Sequence, residues 1–353
     1  MGFRFVHTAD WQLGKPFGRF GPEKAALLQQ ARQAIPERIA KLARDEGASH
    51  VLVAGDVWDQ EVPADRVLRQ PLDRMADASD LTWWLLPGNH DPAKEEGLWD
   101  RLRAFGVPEN VRLLTEAVPQ EMEQGITLLP APWHSKRPGR DLTAWFGGEG
   151  TLIGLAHGSV QDFSSRADGS AVIAKDRADQ AGLAYLALGD WHGMREAGPR
   201  AWYPGTPEPD NFRQNDQGHA LVVDLDTPNK PVAHATGIYD WLRHEVVLED
   251  LSSIDSYLPD QRALDRTLLR LKLTGAVSFA DRAALEEKLA LEEGRFFTLE
   301  VDWAGVETRL DEADLDERLG DGMLRRVADR LIAMDGHPEA AEALRLLDRM
   351  LRD

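Results

Sequence analysis

The chain has no cysteine, which removes disulfides and thiolate metal ligands from the options open to it. Long apolar runs are missing too. The longest, such as Val51–Ala54, stop far short of the roughly 20 residues that cross a bilayer, so no membrane association is expected. The Met-Gly-Phe-Arg start carries no apolar signal core, and with cysteine absent a reducing cytoplasm fits best. Positive charge is scarce: 41 Lys and Arg stand against 60 Asp and Glu, a net charge of −19. That balance argues against a basic, sequence-independent grip on nucleic acid. Phosphate chemistry is not excluded by it, because clustered carboxylates hold divalent cations whose own charge then attracts a phosphate.

The 353 residues, at roughly 150 per domain, suggest about two domains, and 42% apolar with 29% charged residues is ordinary for a soluble globular protein. Apolar, β-rich runs recur at Phe3–Thr8, Val51–Ala54, Leu81–Pro87, Ile126–Leu129, Leu152–Ala156 and Leu183–Leu188, with helical stretches between them. This alternation predicts an α/β sheet. Between the first two runs, Ala26, Leu27, Ile35, Ile39 and Leu42 fall at helical spacing and predict one crossover helix over Pro22–Arg44, stopped at Gly47. From Trp202 to Glu249 the pattern turns to short strands (Ala220–Leu225, Val232–Thr236, Glu245–Leu248), as in a second sheet packed on the first.

Ser252–Asp260 is polar, carries Pro259 and reads as a linker. A strand (Leu268–Leu273), a helix (Phe279–Glu293) and a strand (Phe296–Trp303) then make a compact second domain. In the tail, Met323, Leu324, Val327 and Leu331 form one apolar stripe and Leu344, Leu347 and Leu351 another, with Gly336-His337-Pro338 breaking between them.

Five segments put Asp, Asn and His at the carboxyl ends of predicted strands, where open α/β sheets assemble their sites. They are His7-Thr8-Ala9-Asp10-Trp11-Gln12, Gly55-Asp56-Val57-Trp58-Asp59, Gly88-Asn89-His90-Asp91, Ala156-His157-Gly158 and Gly189-Asp190-Trp191-His192. Singly, each has a bland reading as a turn or a packed histidine. In order, each closing a β run, they resemble the calcineurin-like metallophosphoesterase family, with its Asp-x-His, Gly-Asp-x-x-Asp, Gly-Asn-His-Asp, lone His and Gly-His-x-His. Within that family the likeness is to the nuclease subunits of the Mre11 and SbcD group. It is carried by His7–Gly14, by Tyr203-Pro204-Gly205-Thr206-Pro207-Glu208 and by the strand-helix-strand unit after Ser252. The resemblance implies a two-layer β-sandwich flanked by helices over 1–251, an α+β capping domain over 252–319 and a helical tail over 320–353, whose apolar stripes either pack within the chain or bind the ATPase partner.

It also implies two divalent ions, which can clamp the attacking and departing oxygens of a phosphodiester. Asp10, Gln12, Asp56 and His192 would hold one ion; Asp56, Asn89, His157 and Asp190 would hold the other, with Asp56 bridging. His90 would be the general acid or a transition-state donor rather than a ligand. Gln12 stands where the family has His, and Asp190 where it has the first His of Gly-His-x-His. Both keep an oxygen donor, Gln12 through its amide oxygen, which makes the expected site hard and favours Mn²⁺ or Mg²⁺ over Zn²⁺.

Around the motifs, Trp11, Trp58, Trp191 and Trp133 either stack on bases or pack under the loops. Lys15 and Arg19, with Lys136, Arg137 and Arg140, are candidates for a DNA backbone. His7 reads either as a ligand's partner or as a structural strand residue. The expected function is a metal-dependent DNA phosphodiesterase, a 3′ exonuclease with endonuclease capacity in double-strand break repair. The expected partners are DNA, an SbcC/Rad50-like coiled-coil ATPase and a second copy of the chain. Hydrolysis of a small phosphodiester or phosphoprotein, and a scaffold subunit with a decayed site, are the competing readings.

Overall fold

A computed structural model of the chain describes residues 2–161, 172–213, 217–227, 230–258, 264–309, 322–334, 337, 339–340, 343–344 and 346–347. The chain divides into two compact units, Met1–Asp240 and Trp241–Asp353.

The first unit is built on two six-stranded sheets. In one, β1 (Arg4–Thr8), β2 (His50–Val53), β3 (Thr82–Leu85) and β4 (Val111–Leu113) run parallel in that order. Its far edge is completed by two antiparallel strands, β13 (His219–Asp224) beside β1 and then β14 (Val232–Ala235). In the other sheet β6 (Ile126–Ala131), β7 (Thr151–His157), β10 (Leu183–Gly189) and β12 (Ala201–Tyr203) run parallel. Its edges are the antiparallel β5 (Gln120–Glu123) and β11 (Arg195–Gly198). Two short strands, β8 (Ser159–Val160) and β9 (Val172–Ile173), pair with each other after β7.

Successive side chains on a strand point to opposite faces, and here both faces are covered, which is why the strands read as continuous apolar runs. Phe5, Leu52, Trp84, Leu128, Ile153, Leu155, Tyr185 and Ala187 face one another between the sheets. Their neighbours Val6, Val51, Val53, Trp83 and Leu85 meet the helices outside the first sheet. Leu152, Ala156, Leu186 and Leu188 do the same outside the second.

The crossover expected as one helix over Pro22–Arg44 is two, α1 (Pro22–Gln33) and α2 (Ile35–Asp45). Pro36 causes the break, since it has no N–H to donate and its ring collides with the carbonyl four residues back. It sits instead in the first turn of α2, where no donor is needed. Gly47, at φ 68°, ends α2 as expected. Two further helices, α3 (Asp65–Asp77) and α4 (Leu98–Phe105), bury Leu68, Met75 and Leu102 against the same sheet, and the single turn α5 (Arg177–Gln180) buries Ala178 against the other.

The second unit has its own sheet, ordered β15 (Asp240–Leu248), β16 (Thr267–Ser278) and β17 (Thr298–Arg309). Of the three strands expected together in the second sheet of the first unit, Glu245–Leu248 belongs here, while Ala220–Leu225 and Val232–Thr236 became β13 and β14 of the first sheet, beside β1. β16 and β17 are parallel and therefore need a crossover, supplied by α6 (Phe279–Glu293). Ser278 Oγ accepts from the Asp281 N–H at 3.0 Å and caps that helix. Leu269, Leu271 and Leu273 on alternate positions of β16 pack with Leu285 and Leu289 of α6.

The stretch read as a linker begins with a 3-10 helix, Leu251–Tyr257, started by an Asp250–Ser253 capping box and anchored by the buried Ile254; Pro259 and Asp260 lie outside the described residues. Helix α7 (Met323–Ile332) leaves Met323, Leu324 and Val327 exposed and buries Ala328. Of the second stripe Leu344 is half-buried and Leu347 buried; Leu351, Gly336 and Pro338 lie outside the described residues. Among the described residues no helix is long and apolar enough to cross a membrane.

Leu155 is fully buried between the sheets. Leu155→Ala is expected to destabilise the chain by about 2–5 kcal/mol, read as a lower urea midpoint at unchanged slope. An unchanged midpoint would show that the inter-sheet layer does not carry the fold.

Candidate metal centre

The strand ends of β1, β2 and β3 in one sheet and of β7 and β10 in the other deliver the five motifs to one place. The loop after β1 runs beside the loop after β2: the Asp10 N–H donates to the Gly55 carbonyl (3.1 Å) and the Gln12 N–H to the Asp56 carbonyl (2.9 Å). This side-by-side run uses left-handed backbone at Asp10 (φ 54°), Gln12 (φ 44°) and Asp56 (φ 52°), and Asp190 stands at φ 104°. For side chains other than glycine such conformations cost on the order of 1–3 kcal/mol each. Two glycines permit the closeness. A Cβ on Gly88 would stand 2.2 Å from Asp56 Oδ1, and one on Gly189 would stand 1.9 Å from the Ala54 carbonyl oxygen.

His157 Nδ1 donates to the Ala54 carbonyl at 2.8 Å, so Nε2 faces the centre, carrying a proton while no ion is bound and offering a lone pair once that proton leaves. Around Nε2 stand Asn89 Oδ1 at 2.8 Å, Asp56 Oδ1 at 3.5 Å and Asp190 Oδ1 at 3.9 Å. Ligand atoms of Asp10, Asp56 and His157 all lie within 4.8 Å of one another, and all three residues are buried. A nitrogen lone pair ringed by carboxylate and amide oxygens is a donor set that fits a divalent cation.

The charges crowded here titrate abnormally. Burial pushes Asp10 up to about 6, against the pull of His192 and His157. Burial alone would lower His157, but the carboxylates of Asp56, Asp10 and Asp190 outweigh it and lift its pKa to about 9. Asp91 is pushed up to about 7 by burial and by Asp56, although the Trp58 and Gly88 N–H groups donate to it at 3.0 and 2.7 Å. Through those two bonds Asp91 ties the Asp56 loop to the Asn89 loop. Ser159 Oγ donates to Asp190 Oδ2 at 2.9 Å, and the Asp190 N–H donates to Asp10 at 3.1 Å.

His90 borders this cluster. Its backbone N–H donates to Asp56 Oδ1 at 2.9 Å and its Nδ1 to the Asp59 carbonyl at 3.0 Å, which orients a half-exposed ring with Nε2 at 3.9 Å from Asp56 Oδ2. On the far side Gln12 Nε2 meets His192 Nε2 at 3.3 Å, and His192 Nε2 is 4.0 Å from Asp10 Oδ1. Lys15 contacts Gln12 Oε1 and Asp210 rather than lying open to a ligand. The Arg19 guanidinium lies over the Phe20 and Phe212 rings at 4.4 and 5.1 Å. Lys136 pairs with Glu61 at 3.0 Å, and Arg137 and Arg140 are exposed.

Trp11, Trp58 and Trp133 are packing residues, each buried. Only Trp191 among the four is substantially open, at 38%, with the Arg195 guanidinium 5.5 Å from its ring centre. His7 is structural: it is bonded to the Tyr185 hydroxyl and the Leu188 carbonyl, and burial drags its pKa to about 3. Sequence reasoning gave no role to Asp91, Ser159 or Asp210. Asp91 had a signal, as the one unassigned polar position of Gly88-Asn89-His90-Asp91.

Residues 3–223 match the model of the family described as calcineurin-like phosphoesterase. The chain belongs to that family. Over 91 residues it is 29% identical to the SbcD subunit of the SbcCD nuclease of Bacillus subtilis (strain 168), a match covering 25% of this chain and 22% of that protein. The chain is thus matched to less than a quarter of the relative's length. Among solved structures, TT1561 of Thermus thermophilus aligns over 67% of this chain and 100% of that one, at 13% identity and a TM-score of 0.43. The phosphoesterase fold thus carries, in this member, a candidate divalent-metal site built on Asp10, Asp56 and His157.

Without metal, Asp10, Asp91 and His157 hold their protons to higher pH when folded than when unfolded. What they contribute to stability is present at low pH and lost as pH rises, from 3.8 through about 6 and about 7 for the two carboxyls and from 6.5 through about 9 for His157. A divalent ion must displace the protons of Asp10 and His157, so its stabilising effect should grow with pH, by about 1.4 kcal/mol per pH unit for each proton released. Urea midpoints with and without Mn²⁺ at acid and mildly alkaline pH measure this. An Mn²⁺-induced shift no larger at the higher pH would contradict the assignment.

Proposed function

We propose that the chain is a divalent-metal-dependent phosphodiesterase acting on DNA, a 3′ exonuclease with endonuclease capacity that works in double-strand break repair with an SbcC/Rad50-like ATPase. The observation that carries the hydrolytic reading is the ring of oxygens around His157 Nε2 beside the half-exposed His90. The DNA reading is supported by the similarity to the Bacillus subtilis nuclease subunit. In this reading Asp10, Asp56, Asn89, His157 and Asp190 hold the ion. The carboxylate-rich set favours Mn²⁺, then Mg²⁺.

When bound, the ion supplies charge that polarises a phosphoryl oxygen and makes an attacking water more acidic. The chain's own residues do the rest. His90, with Nδ1 committed to the Asp59 carbonyl, has only Nε2 to offer, and in its protonated form Nε2 gives its proton to the departing alkoxide. The attacking water loses a proton to solvent and its oxygen bonds to phosphorus as the P–O bond to the leaving sugar breaks, giving a phosphomonoester and a free hydroxyl, and His90 regains a proton from solvent. Asp91 holds the Asp56 and Asn89 loops in register and touches neither substrate nor ion.

Labelled single- and double-stranded DNA incubated with the chain in Mn²⁺ tests this. Asp56→Asn should lose both bound Mn²⁺ and cleavage. His90→Gln should keep its Mn²⁺ and lose roughly 10²–10⁴-fold in turnover. Equal metal loss in both variants would refute the division of roles. Hydrolysis of a small diester or phosphopeptide with no DNA cleavage would move the substrate class.

The ATPase is recognised by the tail, where Met323, Leu324 and Val327 expose an apolar face on α7. Met323→Glu with Val327→Glu should abolish co-purification with the ATPase while leaving the urea midpoint unchanged. Undiminished co-purification would remove the tail from that role.

A further inference from the structure

Opposite His157, the centre is held by a side chain that can only donate. Lys15 Nζ lies 2.8 Å from Gln12 Oε1, 2.7 Å from Asp210 Oδ2 and 3.7 Å from Asp59 Oδ1. An ammonium has no lone pair, so the Gln12 atom that faces it is the amide oxygen. The NH₂ end of the same amide is thereby turned toward His192 Nε2, at 3.3 Å. His192 is set from its other side, with Nδ1 3.5 Å from Asp210 Oδ1. Gln12 is 2% exposed and the Asp210 side chain 1%, so water is not there to replace a lost partner. Turning the amide over would set NH₂ against the ammonium, leaving buried donors unpaired.

We propose that Gln12 serves this centre as a hydrogen-bond donor and not as a metal ligand, that Lys15 is the positioning residue that holds it so, and that the chain binds one divalent ion per centre, on the His157 side. An ion between Gln12, His192 and Asp10 would need lone pairs. Of these only the Asp10 carboxylate offers them freely: the amide presents N–H groups, His192 Nε2 faces those groups at 3.3 Å, and the Lys15 ammonium holds the amide oxygen on its other side. On the other side every group around the ion position is an acceptor: His157 Nε2, Asn89 Oδ1 and the Asp56 and Asp190 carboxylates. One half of the centre is thus lined by groups that can face a cation, while in the other the Lys15 ammonium already takes up Gln12 Oε1 and the Asp210 and Asp59 carboxylates. Gln12, where the family pattern has His, and the lysine three residues on act as one unit, the lysine deciding which end of the amide looks inward.

The inference rests on the metal-dependent reading above. Mn²⁺ is the probe, read by titration calorimetry for stoichiometry and by electron paramagnetic resonance for spin coupling between neighbouring ions. The unaltered chain should bind one Mn²⁺ with the spectrum of an isolated ion, and Lys15→Arg, which still only donates, should do the same. Lys15→Met combined with Gln12→His should bind two, with an exchange-coupled spectrum. Lys15→Met alone frees the amide to present its oxygen and should admit a weaker second ion. Two coupled ions in the unaltered chain would overturn the inference and leave the proposed function standing, whereas no bound Mn²⁺ would overturn both. A single ion in both Lys15→Met variants would remove Lys15 from the positioning role.

Discussion

The hydrogen bond from His157 Nδ1 to the Ala54 carbonyl is the hinge of the whole centre. It joins the carboxyl end of β7 in one sheet to the residue after β2 in the other. With the proton on Nδ1, the Nε2 lone pair points at Asn89, Asp56 and Asp190; in the other tautomer the lone pair would face a carbonyl that can only accept. The same carbonyl limits residue 189 to glycine, so one backbone oxygen places three strand ends at once. A slip of one residue in β2 or β7 would send Ala54 or His157 to the wrong face, and the apolar layers on both sides of each strand oppose such a slip.

Gathering those strand ends costs stability in the absence of metal. Asp10, Asp56, Asp91 and His157 are all buried, and burial favours the neutral form of a carboxyl. The chain answers with local donors: backbone N–H groups on Asp56, Asp91 and Asp10, the Ser159 hydroxyl on Asp190 and the His157 imidazolium among the carboxylates. None of these neutralises the cluster as well as a divalent charge does. The local surplus of carboxylates, rather than the −19 of the chain as a whole, is what makes this a candidate cation site of the phosphoesterase fold.

How much of this could be read beforehand depended on distance along the chain. Strands such as Leu152–Ala156 and Leu183–Leu188 were legible because both of their faces are covered, which gives continuous apolar runs between turns. The five motifs were legible because each is local, a few residues at a strand end. Lys15 looked like a rim residue for DNA because nothing local announces Asp210, nearly two hundred residues on, or shows that Gln12 needs an orienting partner. Glu245–Leu248 was read as a strand correctly and assigned to the wrong sheet, since alternation specifies a strand's faces and not its neighbours. The break at Pro36 was readable and was outweighed by helical spacing on both sides of it.

Backbone strain falls on four residues that face the centre. Asp10, Gln12, Asp56 and Asp190 hold left-handed or neighbouring conformations that glycine would adopt at far less cost. A chain that needed only to pack these loops would be more stable with glycine at each. Each strained position instead carries a side chain with partners: Asp10 on the Asp190 N–H, Gln12 on Lys15 and His192, Asp56 on the His90 N–H, Asp190 on Ser159. The two positions that depart from the family pattern, Gln12 and Asp190, are as strained and as fully bonded as the two that keep it. At both departures the strained residue aims its side chain into the centre, Gln12 Nε2 at His192 Nε2 and Asp190 Oδ1 at His157 Nε2.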